Sequence, residues 1–310
     1  MSVRLIAASA IPALIALAQP ACAAAAPATA NPGPAAGIEV TASTDSDKTD
    51  ALKVLGRALW MSDGPDHYQG IALEQAWFRP RGGAVREAKR AYLDLASDLH
   101  GQWFGQARIG TDGHSLLGSA DVRSADWHKE FFAEREIVET PRGLDERIYY
   151  TLLGASLDLF STDRDTLNAM AGVQAFTGRN VRLHLRGTFI HVVNPQAGLS
   201  LQLRARYFHS SAPGEFDYFS PRNFVQLVPV VQMRRFDKSG WMYLAAAGYG
   251  LQHSTGGPWQ SARLAELRLE SPRHARKLQA FAQVQYSNTS LTGSGNYHYV
   301  LGRLGLTSRF

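Results

Sequence analysis

Polarity alternates residue by residue through segment after segment of this chain, and that alternation limits what can be built from it. Val181, Leu183, Leu185 and Phe189 are interleaved with Arg182, His184, Arg186 and Thr188. Leu199, Leu201, Leu203, Ala205 and Tyr207 are interleaved with Ser200, Gln202, Arg204 and Arg206. Leu278, Ala280, Ala282, Val284 and Tyr286 alternate with Lys277, Gln279, Phe281, Gln283 and Gln285. Successive residues of a strand point to opposite faces, so each segment is a strand with one oily and one polar face. A helix over 181–189 would instead spread its arginines around all sides. The last segment obeys the same rule. Phe310, Leu306, Leu304 and Val300 share one face, and Arg309, Thr307, Gly305 and Arg303 share the other.

From Gly37 onward such segments follow one another, separated by clusters of Gly, Pro, Asn, Asp or Ser. The pattern predicts strands at 37–44, 50–60, 69–79, 86–98, 101–110, 115–123, 126–137, 146–160, 164–176, 179–192, 197–210, 219–234, 239–253, 259–270, 275–288 and 297–310. Strands of this length and spacing, about 16 and even in number, specify an all-β, up-and-down antiparallel barrel that spans a membrane. Ala84 to Leu99 is the ambiguous stretch, because Val85, Ala88, Tyr92 and Leu95 are also spaced for a helix. As a strand it turns Tyr92, Asp94, Ala96 and Asp98 to the lumen and Ala91, Leu93 and Leu95 to lipid. The mean hydropathy of −0.20 fits a barrel in which only alternate residues meet lipid. After residue 23 no apolar run approaches the length of a spanning helix.

The N-terminus reads as an export leader over 1–23: Arg4, an apolar stretch from Leu5 to Ala18, and small residues at Ala21-Cys22-Ala23. Acylation at Cys22 is disfavoured, because Gln19 stands where such sites carry Leu. Cleavage after Ala23 leaves a chain with no cysteine, and therefore no disulfide and no thiolate metal site. Residues 24–36 read as a disordered Ala/Pro tether, and 37–310 as the barrel. A leader at one end and a strand closing on Phe310 at the other resemble bacterial outer-membrane barrels, whose assembly machinery reads a terminal strand ending in an aromatic. The resemblance implies an outer-membrane location and makes Phe310 the assembly signal. An even strand count and an N-terminus in the periplasm put the C-terminus there too. Short turns such as Thr177–Arg179 and Glu270–Arg273 then suit the periplasmic rim, and Asn194–Gly198, Ser211–Phe216 and Thr289–Asn296 the outer one. Trp60, Trp77, Trp127, Trp241, Tyr243 and Trp259 gather at segment ends, where rings prefer the headgroup level.

Tyr218-Phe219-Ser220-Pro221, with Phe224 three residues later, stands where a strand through Val225 to Met233 opens. Pro221 lacks an N–H and belongs at a strand mouth, where no ladder bond is lost. With Gly240-Trp241, Gly248-Tyr249-Gly250 and Phe310, this segment resembles the C-terminal outer-membrane barrel of the bacterial cellulose synthase complex and the stand-alone YaiO-type outer-membrane barrels. The resemblance covers roughly 200–310 by motif and the upstream half by pattern. It implies export of a cellulose-like exopolysaccharide. The tetratricopeptide repeats that precede the barrel of the first family have no counterpart here, so coupling to a synthase is not implied with equal force.

The polar faces carry Arg182, Arg186, Arg204, Arg206, Arg234, Arg268, Arg303 and Arg309, with Asp94, Asp98, Glu266 and Glu270 as the acids. Arginine forks bind carboxylate and phosphate and can bond sugar hydroxyls, so such a lumen could pass anionic solutes or polysaccharide. The alternative is a structural or receptor-like barrel, plugged by a packed network of the same charges. No enzyme is expected. Asp112, His114 and Ser115 form a loop, adjacent His and Ser on a strand would point apart, and no Gly-x-Ser-x-Gly elbow exists. The scattered histidines, including His67, His128, His209 and His253, show no metal spacing, and no cofactor motif is present. The net charge of +5 comes without a basic block, which argues against nucleic acid as a partner. The partners implied are outer-membrane lipids, the barrel-assembly machinery, a polysaccharide and, by resemblance alone, a periplasmic synthase.

Overall fold

The computed structural model describes residues 32–46, 49–80, 83–100, 102–272, 277–289 and 298–310. The expected leader, Cys22 and residues 24–31 of the expected tether lie outside the described residues, as do most of Thr289–Asn296 and Arg273. The strands are Gly33–Asp45 (β1), Asp50–Ser62 (β2), Tyr68–Arg79 (β3), Arg86–Leu99 (β4), Trp103–Thr111 (β5), Leu116–Ser124 (β6), Lys129–Ile137 (β7), Tyr149–Ser161 (β8), Asp165–Phe176 (β9), Val181–Asn194 (β10), Leu199–Ser210 (β11), Asn223–Phe236 (β12), Met242–Ser254 (β13), Gln260–Glu270 (β14), Leu278–Ser287 (β15) and Tyr299–Arg309 (β16). A short helix, Pro141–Asp145 (α1), interrupts the connection between β7 and β8.

Each strand pairs antiparallel with the next, and β16 closes on β1 in register from Ala35 opposite Arg309 to Asp45 opposite Tyr299. The seam continues past the last strand, where the Phe310 N–H donates to the Pro34 carbonyl at 3.0 Å. Closure leaves no strand edge, which the apolar part of a bilayer demands of any sheet that crosses it. β1 opens at Gly33, inside the stretch expected as tether, because Ala35 and Gly37 already pair with β16. Ala84–Leu99 settles as a strand from Arg86, and its lumen and lipid faces are those read from the sequence.

The outward face is oily and uncovered. Leu73, Leu153, Leu267 and Leu304 are each about 60% exposed, at 60, 58, 62 and 61%. Apolar residues repeated this way around a whole barrel are a lipid-facing belt. Trp60, Trp241 and Tyr243 stand at strand ends on the rim that carries the chain termini, and Trp77 and Trp259 on the other. Trp127 sits in the β6–β7 turn at a φ of 62°.

Counting strands from the termini fixes the sides and corrects two expectations. The Thr177–Arg179 turn lies on the rim opposite the termini, together with the 211–222 loop, as the bonds from the Arg179 and Asn180 N–H groups to Glu215 confirm. Asn194–Gly198 lies on the terminal rim. Both connections are short, so length does not distinguish the rims here. The register shifts at Leu59/Met61, Asp158/Phe160 and Val192/Asn194 all fall toward the terminal rim, a usual place for bulges in barrels.

Candidate functional site

The lumen has two chemically different walls. The first, on β1 to β8 and closed by β16, carries acids and bases together. Asp94, 1% exposed, accepts from Arg108 Nε at 2.6 Å and Nη2 at 3.0 Å and lies 3.2 Å from Arg57 Nε. Arg303 reaches across the barrel seam to Glu39 at 2.5 Å. Arg90 donates to Glu74 at 3.0 Å and Glu136 at 3.2 Å, and Glu139 takes an ion pair from Lys53. Tyr150 donates its hydroxyl hydrogen to Glu134. Asp94, Glu39, Glu74, Glu136 and Glu139 each meet a counter-charge, which is the condition under which buried ions are tolerated.

The second wall, on β9 to β12, has the arginines without the acids. The strand register sets Arg186 directly opposite Arg206 and Thr188 opposite Arg204, all pointing inward. Among the described residues none of these three arginines makes an ion pair within 4.0 Å. Among the described residues eleven buried side-chain atoms lack a hydrogen-bond partner, and five of them are nitrogens on β10 and β11: His184 Nδ1, Arg186 Nε, Gln202 Nε2, Arg204 Nη2 and Arg206 Nε. The side chains elsewhere are tied through another contact, as with Arg57 and Arg90, and on β10 and β11 so are His184, through Gln174, and Arg204, through Gln202, which leaves Arg186 and Arg206 without a side-chain hydrogen bond among the described residues. Unmet donors in a buried setting are costly and call for an explanation.

The Ser211–Arg222 connection folds into the mouth of the barrel on the rim opposite the termini. Tyr218, 6% exposed, stacks on Phe176 of β9 with centroids 4.3 Å apart and planes at 11°. Phe219 packs edge-on against Phe208 and Phe224, at 5.9 and 5.8 Å. Every one of those three strand partners has inward parity, so the connection occupies lumen space. Asn180 Nδ2 donates to the Tyr218 hydroxyl at 2.9 Å, and Glu215 accepts from the Arg179 and Asn180 N–H groups. Asp217 accepts from Thr140 Oγ1 at 2.5 Å and from the Arg142 N–H at 2.8 Å. This corrects the sequence reading of Tyr218-Phe219-Ser220-Pro221. The motif does not open a strand, which starts at Asn223. It forms an inward loop, because its rings find a larger aromatic surface inside the barrel than the sheet offers.

The remaining sequence-nominated residues fall into four groups. Arg182 faces inward but clasps the loop, donating to the Phe219 carbonyl and lying 4.5 Å over the Phe208 ring. Arg303, Arg309, Arg268, Asp94 and Glu266 are inward and engaged: Arg309 with Asp63 at 3.6 Å, Arg268 with Glu270, and Glu266 with Gln283 at 3.0 Å. Arg234 and Asp98 share the lumen parity but sit toward the terminal rim, where Asp98 meets His67 at 2.9 Å. Phe310 faces outward and is 77% exposed. Sequence reasoning missed Lys53, Arg57, Arg90, Arg108, Glu134 and Glu136, although their alternate spacing around Leu55, Tyr92 and Phe132 carries the same parity signal. Asp112 caps its own turn: Oδ1 takes the His114 and Ser115 N–H groups at 2.9 Å each, and Oδ2 takes the Tyr149 hydroxyl at 2.8 Å. Burial works against its charge, yet these donors hold its carboxyl below the usual carboxylate range. His114 and Ser115 therefore sit in the turn that Asp112 caps.

No protein-family model matches the chain, and no curated protein matches it in sequence. Its fold is similar to that of a solved bacterial polysaccharide outer membrane secretin, with a TM-score of 0.61 at 12% identity over 89% of this chain and 98% of that one. It also aligns with Pseudomonas aeruginosa OccK7 (OpdD), with a TM-score of 0.45 at 9% identity over 91% and 99% of the two chains. The first likeness shows the fold, a bacterial outer-membrane β-barrel. None of these comparisons points specifically to the cellulose synthase barrel or to the YaiO barrels.

Proposed function

We propose that this outer-membrane barrel is a pore that passes an exopolysaccharide or anionic solute through its lumen, without covalent chemistry. The observation that carries this reading is the unpaired arginine wall of β10 and β11. A barrel that served only as scaffold would gain from neutralising its buried charges, and the wall on β1 to β8 shows that this sequence can do so. Donors held unsatisfied beside a lumen are suited to a ligand that comes and goes. Conductance of the refolded protein in planar bilayers tests the proposal. Discrete channel steps with anion preference are expected, and Arg186→Glu with Arg204→Glu should shift the preference toward cations. A folded barrel without steps would sink it.

One observation favours a second reading. The inward loop over 211–222 is tied to α1, to the β9–β10 turn and to Arg182, as a plug would be. A barrel closed by this loop would serve as an envelope anchor with its outer connections as contact surface, and it would give no conductance while the loop is intact.

A further inference from the structure

We infer that Arg186, Arg204 and Arg206 form an oxyanion-binding site on the lumen wall, and that its ligand is the carboxylate of an acidic sugar unit of the passing chain. The inference rests on the passage reading above and decides between an acidic and a neutral polymer. Three guanidinium groups stand on two neighbouring strands. Arg186 is directly opposite Arg206, and Arg204 lies one inward step along β11. That step is about 7 Å of strand, so the three groups are next to one another. Like charges placed directly opposite across a ladder repel, and among the described residues no ion pair within 4.0 Å offsets this pair. Glu134 and Glu266 act on Arg186 and Arg204 only through space, with no ion pair to either.

The unmet atoms also define what would fit. Arg186 Nε, Arg206 Nε and Arg204 Nη2 are buried and without partners. A carboxylate or phosphate would fill such donors two at a time and neutralise the repulsion. A neutral sugar hydroxyl would fill one donor and leave the charge. Arg206 is also held in place, its guanidinium 5.6 Å from the Phe208 ring and 5.7 Å from Phe224, so little side-chain freedom is lost on binding. The wall faces into a closed barrel, which excludes lipid headgroups as the source of the anion.

The test uses the refolded protein in detergent with three probes: a galacturonate hexamer, cellohexaose and inorganic phosphate. The readout is the thermal transition, since a ligand that binds only the folded barrel raises it. The hexamer should raise the transition of the native protein and cellohexaose should not. In Arg186→Gln/Arg206→Gln the apparent affinity for the hexamer should fall at least about tenfold, as expected for losing charge-assisted bonds. Without ligand, this variant should melt higher than the native protein, because the repulsion is gone. Arg186→Lys/Arg206→Lys, which keeps the charge, should retain binding better than the Gln pair. If the Gln pair fails to show a heat-modifiable folded band, Arg204→Gln reads the same loss. An equal response to cellohexaose, or unchanged binding in the Gln variants, overturns the site. A response to phosphate as strong as to the hexamer at equal charge overturns the acidic-sugar assignment. The pore reading fails separately, by absence of channel steps from a barrel that still binds the hexamer.

Discussion

Tyr218 is the residue through which the inward loop can be perturbed with a defined magnitude. Its ring is buried against Phe176 and its hydroxyl accepts one hydrogen bond, from Asn180 at 2.9 Å. Tyr218→Phe removes that bond and keeps the stack, at a cost of about 1 kcal/mol, or roughly a fivefold rise in the population of the released loop. Tyr218→Ala removes the ring as well. Large-to-small replacement of a buried aromatic costs about 3 to 5 kcal/mol, which corresponds to a hundredfold or more. The amides that report release are those bonded only across the loop contact: Arg179 and Asn180, which donate to Glu215, and Arg142, which donates to Asp217. Hydrogen exchange under conditions where the loop recloses faster than it exchanges should accelerate at these positions by the factors above. The ladder amide of Arg186 should not change. Equal protection in native and Tyr218→Ala proteins would refute the docked loop. An equal loss at Arg186 would instead mean that the loop and the strands melt as one unit.

Three further outcomes follow from the same geometry. Leu304 faces lipid at mid-strand and Ser308 faces it near the rim, so in vesicles Leu304→Arg should cost about 2 to 4 kcal/mol and Ser308→Arg about 1 or less, read from urea unfolding. Gly198 has a φ of 67°, and a Cβ built on it would lie 1.7 Å from the Arg234 carbonyl oxygen, whereas a Cβ on Gly56 meets nothing within 4 Å; Gly198→Ala should lower the thermal transition and Gly56→Ala should not. Asp112 has a lowered folded pKa, so its contribution is full above the unfolded carboxylate value of about 3.9 and is lost as pH falls through the folded value. The gap in thermal transition between native protein and Asp112→Asn should thus hold from neutral pH down to about pH 4 and close only below it.

Most of the fold was legible because a barrel repeats one local rule. β10, β11, β15 and β16 each carry a clean two-residue alternation, and parity alone assigns every side chain in them to lumen or lipid. The rims were less legible for a reason that counting resolves. Turn length carries no information about Thr177–Arg179 or Asn194–Gly198, but the ninth strand from a terminus must end on the far rim. α1 had a local signal in Thr140-Pro141, a capping hydroxyl followed by a proline at the first helical position, and Thr140 does accept the Gly143 N–H at 3.0 Å. The pair lies in the connection between the expected strands at 126–137 and 146–160, where alternation gives no reading. The inward loop could not be read locally at all. Tyr218 and Phe219 look like the mouth of a strand until their partners are known, and those partners, Phe176, Phe208 and Phe224, lie on three strands that only the closed barrel brings together.

The two walls of the lumen raise a question of cost that the fold alone does not answer. On the first wall, Asp94 between Arg57 and Arg108 offsets the desolvation of all three groups. On the second, Gln202 accepts from Arg204 Nε at 3.0 Å through its amide oxygen, while its own Nε2 is buried and unbonded. A glutamate has nearly the same shape as this glutamine. It would offer Arg204 a carboxylate and remove an unsatisfied donor. Every local term favours glutamate if stability is the only demand. The position holds a neutral amide, and the wall stays positive from Arg186 to Arg206. Departures of this kind from local consistency concentrate where function sets the residue. The cost falls on two adjacent strands beside the lumen, where an anion in transit would relieve it.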